Sequence, residues 1–470
     1  MALEIFFWVL NKLESGKMIE PEQSASLNMF ISCKNSSNGS KPIDKKTRDI
    51  ISDFGDPFIT NTIINGGKWI FFSNRLVVYW PFSIKSTSSN HISHKYLSFQ
   101  LPTVGLFVTV SYLLLNVLYL FHYFFVKFQD DVRDFHPFDL ILITTWDCMI
   151  MFGVIGYRIY GILRLSKFHS FWNNIVNLVT QITEISSKRE TKEKFHQLNR
   201  WGLKWIVIFT LMGLLNATAV FYNYVCVTYE LPQVVITFEY LESVIMMHNS
   251  SAFLLVFFLK IMTHGFTTCH RKLEKMSEEN FRENYSDKSC DYETIELSSV
   301  FNIIHKLEEC VSSFNSTFVF TLLLEAVFSF LQVMFALYFV HVVDPVSNAA
   351  YWINMAMPIF MYSACLINLC AASSQLTVEC EEMVSKFQEL PVSTLSVKDS
   401  HKVHLLVSRL SVNPPAIQVS QLFYIRESLL ASALNTLATY FIVLVQMRQF
   451  TKTADGNIEA LNQTHLNENS

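Results

Sequence analysis

Residues 428–446 read SLLASALNTLATYFIVLVQ, an apolar stretch interrupted at regular intervals by polar residues. At 100° per residue the polar positions fall within about 60° of one another, which places them on one face of a helix. A membrane-spanning helix needs roughly 20 mostly apolar residues, and this stretch supplies them. The segment therefore predicts a membrane helix with a narrow polar stripe, formed by Ser428, Ser432, Asn435, Thr439 and Gln446, with Val443 filling the gap.

The polar stripe on this last helix has two interpretations. Polar groups at membrane depth face protein or water rather than lipid. The stripe is then either a seam of small residues against a neighbouring helix or the lining of a pore. Because one such helix cannot enclose a pore, the second interpretation requires an oligomer with this helix of every subunit at the axis. Symmetric closure makes four subunits a natural number.

Six further apolar windows upstream meet the same length criterion. Only 16% of the 470 residues are charged, against about 25% in ordinary soluble domains. The competing window Trp69–Ile84 has Arg75 in its middle, which costs about 3 kcal/mol at the bilayer centre, so we interpret it as a partly buried cytoplasmic or interfacial segment. The sequence predicts an all-α membrane protein with seven transmembrane helices, at Leu101–Val126, Leu140–Tyr160, Trp205–Val225, Phe238–Met262, Phe318–Val342, Trp352–Ala371 and Leu429–Met447.

Lysine and arginine are distributed unevenly between the two sides of these predicted helices. Residues 1–100, 158–204, 260–306 and 372–425 hold 31 of the 36 basic residues, and the alternate segments hold few. Basic loops of multi-spanning proteins face the cytoplasm. We therefore predict a cytoplasmic N-terminus and, with seven spans, an extracellular C-terminus.

This topology divides the chain into five predicted regions. Residues 174–187 and 300–313 carry apolar residues at helical spacing, so we expect the membrane helices to extend into the cytoplasm and pack there as an anchor. The regions are a cytoplasmic N-terminal region at 1–100, transmembrane helices 1 to 6 with their loops at 101–371, a cytoplasmic anchor segment at 372–428, helix 7 at 429–447 and a short extracellular tail at 448–470. The tail contains the sequon Asn462-Gln-Thr, a predicted glycosylation site.

The sequence carries no recognisable signature of an enzyme. It has no phosphate loop, HExxH, GxSxG or paired-cysteine metal site, so we expect no catalytic residues, no cofactor and no metal. His264, Cys269 and His270 are interpreted as part of a cytoplasmic helix end rather than as metal ligands. There is also no basic stripe with interleaved aromatic residues, which argues against a nucleic-acid partner.

The cysteines and the orientation argue against a G-protein-coupled receptor. Of nine cysteines, only Cys226 lies near the predicted outer side, so no extracellular disulfide can form within the chain. The predicted orientation is also opposite to that of such receptors. A secondary transporter would show inverted repeats and broken midplane helices, and neither is detected. Channel, receptor and transporter remain as functional classes.

The end of the last helix resembles a family signature. TYFIVLVQM, residues 439–447, is similar to the signature of insect gustatory receptors, which reads Thr-Tyr, five apolar residues, Gln and usually Phe. Met447 stands where Phe is usual. The preceding run LFYIRESLLASALNTLA, residues 422–438, also resembles the approach to that signature. The resemblance in sequence covers about 30 residues, while the resemblance in architecture covers nearly the whole chain.

The resemblance implies a ligand-gated, non-selective cation channel in the plasma membrane. Its partners would be a small-molecule tastant, the lipid bilayer, monovalent and divalent cations, and related subunits in a homo- or heterotetramer. Helix 7 would line the pore, and the gate would lie at the Gln-Phe position, with Thr439 and Tyr440 coupling helix 7 to its neighbours. The implied pore and gate residues are Gln446, Met447, Val443, Thr439, Asn435 and Ser432.

A ligand pocket is implied in the outer halves of helices 2 to 6. The predicted topology identifies the outer ends of these helices, and a ligand site combines apolar walls with a few polar groups. Each aromatic residue taken singly is better explained as part of the interfacial aromatic belt. Asp147 and Glu242 are the strongest candidates because a charge there is costly unless it is paired or functional. The predicted ligand-binding residues are Thr144, Trp146, Asp147, Tyr222, Asn223, Glu239, Glu242, Gln332, Tyr338, His341, Trp352 and Asn354.

The ligand class is narrowed by one position of the signature. The sugar-responsive members of the family tend to carry Glu after Thr-Tyr, whereas Phe441 stands there in this chain. A bitter or other non-sugar tastant is therefore predicted. A sugar-responsive receptor and an insect odorant receptor are the alternatives within the superfamily, and a secondary transporter is the alternative outside it.

Overall fold

The computed structural model describes most of the chain from residue 57 onward. The described ranges are 57–76, 83–89, 92–98, 114, 118, 137–227, 231–283, 290–342, 349–390 and 396–468. Within them the chain forms ten helices and two short antiparallel hairpins. The helices are α1 (Pro57–Gly66), α2 (Lys68–Leu76), α3 (Pro137–Leu163), α4 (Leu165–Ile185), α5 (Lys188–Val227), α6 (Leu231–Glu283), α7 (Cys290–Val342), α8 (Ala349–Glu389), α9 (Val397–Val412) and α10 (Glu427–Glu468). The strands are β1 (Ser83–Ser89), β2 (Ile92–Ser98), β3 (Gln418–Val419) and β4 (Phe423–Tyr424).

The predicted membrane helices correspond to long helices of the structure. Windows two to seven lie in α3, α5, α6, α7, α8 and α10, while window one lies outside the described residues except for Leu114 and Leu118, which are helical. Five described helices are long and apolar enough to cross a membrane: α5, α6, α7, α8 and α10. The predicted all-α membrane fold is confirmed.

The helices extend far beyond the apolar windows. Helices α6 and α7 contain 53 residues each, which corresponds to about 80 Å at 1.5 Å per residue. A bilayer core is only about 30 Å thick, so much of both helices projects from the membrane. Both helices are therefore much longer than the apolar windows within them. The assignment of their extensions to a cytoplasmic anchor stays a prediction.

An aromatic cluster forms the centre of the packed region. In α4, apolar residues recur every three or four positions, and Phe168, Phe171 and Trp172 are buried. The Phe171 ring lies 4.9 Å from that of Phe258 in α6 and 5.4 Å from that of Phe318 in α7. Edge-to-face pairs of this kind contribute about 0.5–1.5 kcal/mol each beyond the area they bury. This cluster therefore holds three helices together.

The window Trp69–Ile84 does not form a continuous spanning helix. Helix α2 ends at Leu76 and β1 begins at Ser83. The Asn74 side chain is buried and donates hydrogen bonds to the carbonyl oxygens of Ile70, at 2.9 Å, and Ser250, at 2.8 Å. The polar residue in the middle of the window thus joins α2 to α6, as expected for a partly buried segment.

A short hairpin leads into the last helix. Strands β3 and β4 pair antiparallel, and the turn between them holds Ser420 and Gln421 at positive φ, 44° and 62°. Helix α10 begins three residues after the hairpin, where the Glu427 backbone N–H donates to the Ser374 hydroxyl at 3.0 Å. The carboxylate of Glu427 in the first turn complements the helix dipole. Helix α10 runs to Glu468, beyond the predicted limit at residue 447.

Candidate functional site

Helix α10 is the most exposed of the apolar helices. None of the most apolar stretch within Glu427–Thr451 is buried, whereas 89% of the corresponding stretch of Asn249–Glu278 in α6 is buried. An apolar helix of this kind lies against lipid or against other subunits. The structure of one chain thus leaves α10 available for contacts outside that chain.

The predicted pore residues lie on this exposed helix. All six are exposed in the single chain, and the Thr439 hydroxyl donates within the helix to the Asn435 carbonyl oxygen at 3.0 Å. Tyr440, predicted to couple α10 to its neighbours, is also exposed. The predicted pore residues that are exposed in this way are Ser432, Asn435, Thr439, Val443, Gln446 and Met447.

Four helices meet at an aromatic cluster, which we call the Trp146 cluster. The Trp146 ring of α3 stacks on Phe335 and Phe339 of α7, with centroid separations of 6.2 Å and 5.4 Å. The indole N–H donates to the Gln332 side-chain oxygen. Met355 of α8 and Leu444 of α10 pack against the same cluster. Trp146 and Gln332 were both predicted from the sequence as ligand-binding residues, and the structure brings them into direct contact.

A polar network lies beside the Trp146 cluster. The Tyr338 hydroxyl of α7 donates to Asp139 Oδ1 of α3 at 2.6 Å. The Arg448 guanidinium of α10 donates to the other oxygen, Asp139 Oδ2, at 3.3 Å. Tyr338 is fully buried and Asp139 nearly so. The three residues tie α3, α7 and α10 together at one level of the bundle.

An aromatic contact also joins α7 to α10. The His341 ring lies 5.7 Å from the Phe441 ring, in an edge-to-face arrangement. His341 is itself exposed. Phe441 belongs to the TYFIVLVQM stretch, so this signature segment contacts the same helix that carries the Trp146 cluster.

The sequence of this helical membrane protein matches a known protein family. A family profile described as "7tm Chemosensory receptor" matches residues 77–450. The chain belongs to the 7tm chemosensory receptor family. It is therefore a membrane receptor and not an enzyme. No curated protein matches its sequence.

Solved structures show the same fold as this chemosensory receptor. The insect olfactory receptor OR5 from Machilis hrabei is 14% identical, covers 81% of this chain and 97% of its own, and superposes with a TM-score of 0.55. The same receptor in complex with eugenol is 13% identical, covers 82% of this chain and 99% of its own, and gives a TM-score of 0.50. At this level of identity the similarity establishes the fold alone.

Several predicted ligand-binding residues are described only by their backbone. They lie in helices α3, α5, α6 and α8, and their side chains are outside the described part of the receptor. The Asn462 side chain, predicted to be glycosylated, is likewise outside it, although α10 includes the residue. Of the remaining candidates, Thr144 of α3 is partly buried and Trp352 of α8 is exposed. The residues described by backbone alone are Asp147, Tyr222, Asn223, Glu239, Glu242 and Asn354.

The structure identifies a buried carboxyl group that was not predicted from the sequence. Glu325 of α7 is fully buried and accepts hydrogen bonds from the hydroxyls of Tyr157 in α3, at 2.9 Å, and Ser251 in α6. It lies within the predicted membrane window Phe318–Val342 of the receptor. An ionisable residue inside an apolar window is itself a signal of function, and this signal was present in the sequence.

Asp139 and Arg448 were also not among the residues singled out from the sequence. Both were assigned from the sequence to segments outside the membrane windows, where charge carries little information about contacts. The structure pairs them across 309 positions of the chain. Only the folded arrangement of α3 and α10 reveals this ion pair.

One group of side chains has the composition of a metal site. His270 of α6 and Glu379 and Glu382 of α8 place their ligand atoms within 4.8 Å of one another. Thr267 donates to Glu379 at 2.8 Å, and His270 lies 3.7 Å from Glu382. Glu382 is largely exposed. The group is therefore explained by polar contacts that connect α6 to α8.

Proposed function

We propose that this receptor is a gustatory receptor that acts as a ligand-gated, non-selective cation channel in the plasma membrane. A small non-sugar tastant would open it, and monovalent and divalent cations would pass. The N-terminus would be cytoplasmic and the C-terminus extracellular. The signature-like segment of α10 favours the gustatory branch of the family.

The uncovered helix α10 is the observation that carries this proposal. Four copies of α10 around an axis would bury its exposed apolar surface and bring the polar stripe to a shared water-filled path. The stripe contains uncharged hydroxyl and amide groups. It would therefore discriminate only weakly between different hydrated cations. That property matches a non-selective channel.

The proposed gate lies at Gln446 and Met447. Four Met447 side chains around an axis form an apolar ring, which closes a pore by excluding water. Methionine has a flexible side chain and can swing aside when the helices separate. Met447 would thus replace the phenylalanine that is usual in the signature.

The proposed ligand site is the Trp146 cluster and its surroundings. The cluster combines aromatic walls with the polar groups of Gln332 and Tyr338, as ligand sites do. Leu444 of α10 packs against it, so a change in the cluster reaches the pore helix directly. A ligand opens the channel to the extent that it binds the open conformation more tightly than the closed one.

Substitution of the polar stripe tests the pore. Asn435→Asp would place a ring of four carboxylates in the proposed pore and should raise the permeability of Ca²⁺ relative to Na⁺. Whole-cell reversal potentials in cells expressing the receptor measure this ratio. Met447→Ala should raise the basal cation current because the apolar ring is widened.

The matched control is Leu434→Ala. Leu434 is exposed on α10 but lies away from the stripe on the helix surface, about 160° from Ser432. This variant should leave permeability and basal current unchanged. Unaltered permeability in Asn435→Asp, together with unaltered current in Met447→Ala, would contradict the assignment of α10 as the pore helix.

An odorant receptor is the second candidate because the similar solved structures are olfactory receptors. One of them is in complex with eugenol, which makes eugenol a suitable volatile probe. Currents from the receptor, recorded against bitter compounds, sugars and volatile compounds including eugenol, distinguish the candidates. Responses confined to volatile compounds would overturn the gustatory assignment, and responses to sugars would overturn the non-sugar one.

A further inference from the structure

The network of Asp139, Tyr338 and Arg448 connects three helices at one point. Asp139 accepts a hydrogen bond on each carboxylate oxygen, from Tyr338 at 2.6 Å and from Arg448 at 3.3 Å. The side chain of Asp139 is 7% exposed and that of Arg448 is 21% exposed. In an ion pair shielded from water to this degree, removing either partner leaves a poorly solvated charge behind.

The network shares its helix interface with the Trp146 cluster. Asp139 and Trp146 are seven residues apart in α3, so they lie on the same face and about 10 Å apart. On α7, Tyr338 is adjacent to Phe339 and three residues from Phe335, both of which stack on Trp146. Any movement of α3 against α7 at the cluster therefore also acts on Asp139 and Tyr338.

The third member of the network lies next to the proposed gate. Arg448 follows Met447 directly in α10. Displacing Asp139 removes the charged partner that holds the Arg448 side chain. The end of α10 that carries Gln446 and Met447 is then no longer tied to α3.

We propose that Asp139, Tyr338 and Arg448 form a latch that holds α10 in the resting conformation and is released when a ligand separates α3 from α7. This inference rests on the proposed function. The Trp146 ring stacks on Phe335 and Phe339 across the interface of α3 and α7, so a molecule that enters there must displace the ring. The conformation that contains the latch is thus the one that such a ligand disfavours.

Three substitutions separate charge from hydrogen bonding in the latch. Asp139→Asn keeps an acceptor for Tyr338 but removes the charge that pairs with Arg448. Arg448→Gln removes the other charge, and Arg448→Lys retains it. Asp139→Asn and Arg448→Gln should each raise the basal current about tenfold, whereas Arg448→Lys should stay near the parent receptor; a tenfold change corresponds to about 1.4 kcal/mol.

The basal current is measured without any ligand, as the current lost when external Na⁺ is replaced by N-methyl-D-glucamine. The double variant Asp139→Asn/Arg448→Gln should match either single variant, because both remove the same interaction. Arg189→Gln is the control, since it breaks the exposed Arg189–Glu193 ion pair away from the latch. Surface biotinylation corrects every current for the amount of receptor at the surface.

A second measurement does not depend on ion conduction. Met447→Cys introduces a thiol beside Arg448, and a small charged thiol reagent applied to both membrane faces reports its accessibility. If the latch holds this end of α10, adding Asp139→Asn should raise the modification rate about tenfold. A tenfold change again corresponds to about 1.4 kcal/mol. The parent receptor, without Met447→Cys, supplies the background from its own cysteines.

The outcomes distinguish the latch from the proposed channel. A raised modification rate without any cation current would support the latch and overturn the channel. Unchanged modification rates and unchanged basal currents in Asp139→Asn and Arg448→Gln would overturn the latch. Additive effects in the double variant would also overturn it, because they would show that the two residues act separately.

Discussion

Asn315 shows how one side chain can position the entry to the last helix. Its amide nitrogen donates to the Ala416 carbonyl oxygen at 3.0 Å, and its amide oxygen accepts from the Gln418 backbone N–H at 3.3 Å. One side chain of α7 thereby satisfies two backbone groups of the segment that leads into α10. Its loss would leave both groups without this partner.

Asn315→Ala should lower the free energy of unfolding by about 1–3 kcal/mol, because it removes two partly buried hydrogen bonds that contribute about 0.5–1.5 kcal/mol each. Thermal unfolding of the detergent-purified receptor measures the change as a lower melting temperature. Ser316→Ala is the matched control, because Ser316 is exposed and its hydroxyl bonds to Ser313 of its own helix. Equal melting temperatures for the two variants would contradict this role of Asn315.

For single residues, the sequence indicated candidates but not the contacts that they make. Trp146, Gln332 and Tyr338 were singled out because a ligand site combines aromatic walls with a few polar groups. Their contacts could not be predicted, because hydropathy locates a helix but not its rotation against its neighbours. The role of Asp139 depends on that rotation, and so does its pairing with Arg448.

At the scale of elements, two glycines set how closely α3 approaches α7. A Cβ atom added at Gly153 would overlap the Phe328 ring, whereas one added at Gly156 would lie 3.4 Å from the nearest atom of Phe320. Small residues allow membrane helices to pack closely. The interface that carries the Trp146 cluster therefore depends on Gly153 more than on Gly156.

Gly153→Ala should lower the free energy of unfolding by about 1–3 kcal/mol, as overpacking does. Gly156→Ala, its matched control, should change it little because 3.4 Å is close to ordinary contact. Melting temperatures of the two purified variants provide the comparison. A larger loss for Gly156→Ala than for Gly153→Ala would contradict this account of the interface.

The lengths of the elements were harder to predict than their positions. The apolar window placed the last membrane helix at residues 429–447, yet α10 continues to Glu468. Apolar composition marks only the part of a helix that lies in the membrane, and polar residues beyond it can remain helical without changing that signal. The same limitation applies to the extensions of α6 and α7.

At the scale of the whole molecule, the exposed surface of α10 is free for contacts with other subunits. We expect the purified receptor to be a tetramer, with a protein mass about four times the 54.4 kDa of one chain. Light scattering coupled to size-exclusion chromatography, corrected for bound detergent, measures this mass. A homogeneous monomer of the full chain that still conducts cations would contradict the tetrameric pore.

The overall architecture was the most predictable feature. Membrane helices are constrained by the bilayer thickness and by the need to satisfy every backbone polar group, so windows such as Phe318–Val342 identify them directly. The sequence predicts the association of subunits less clearly. The stripe from Ser432 to Gln446 was compatible with either a helix seam or a pore, and the exposure of α10 now favours contacts beyond one chain.

The distance between the aromatic core and the Trp146 cluster has an evolutionary consequence. Phe318 and Phe335 are 17 residues apart in α7, which separates them by about 25 Å along the helix. Substitutions at the proposed ligand site around Trp146 should therefore alter recognition, while the core at Phe171 and Phe258 continues to hold the bundle together. Such a division lets gene duplicates acquire new chemical preferences without first losing the ability to fold.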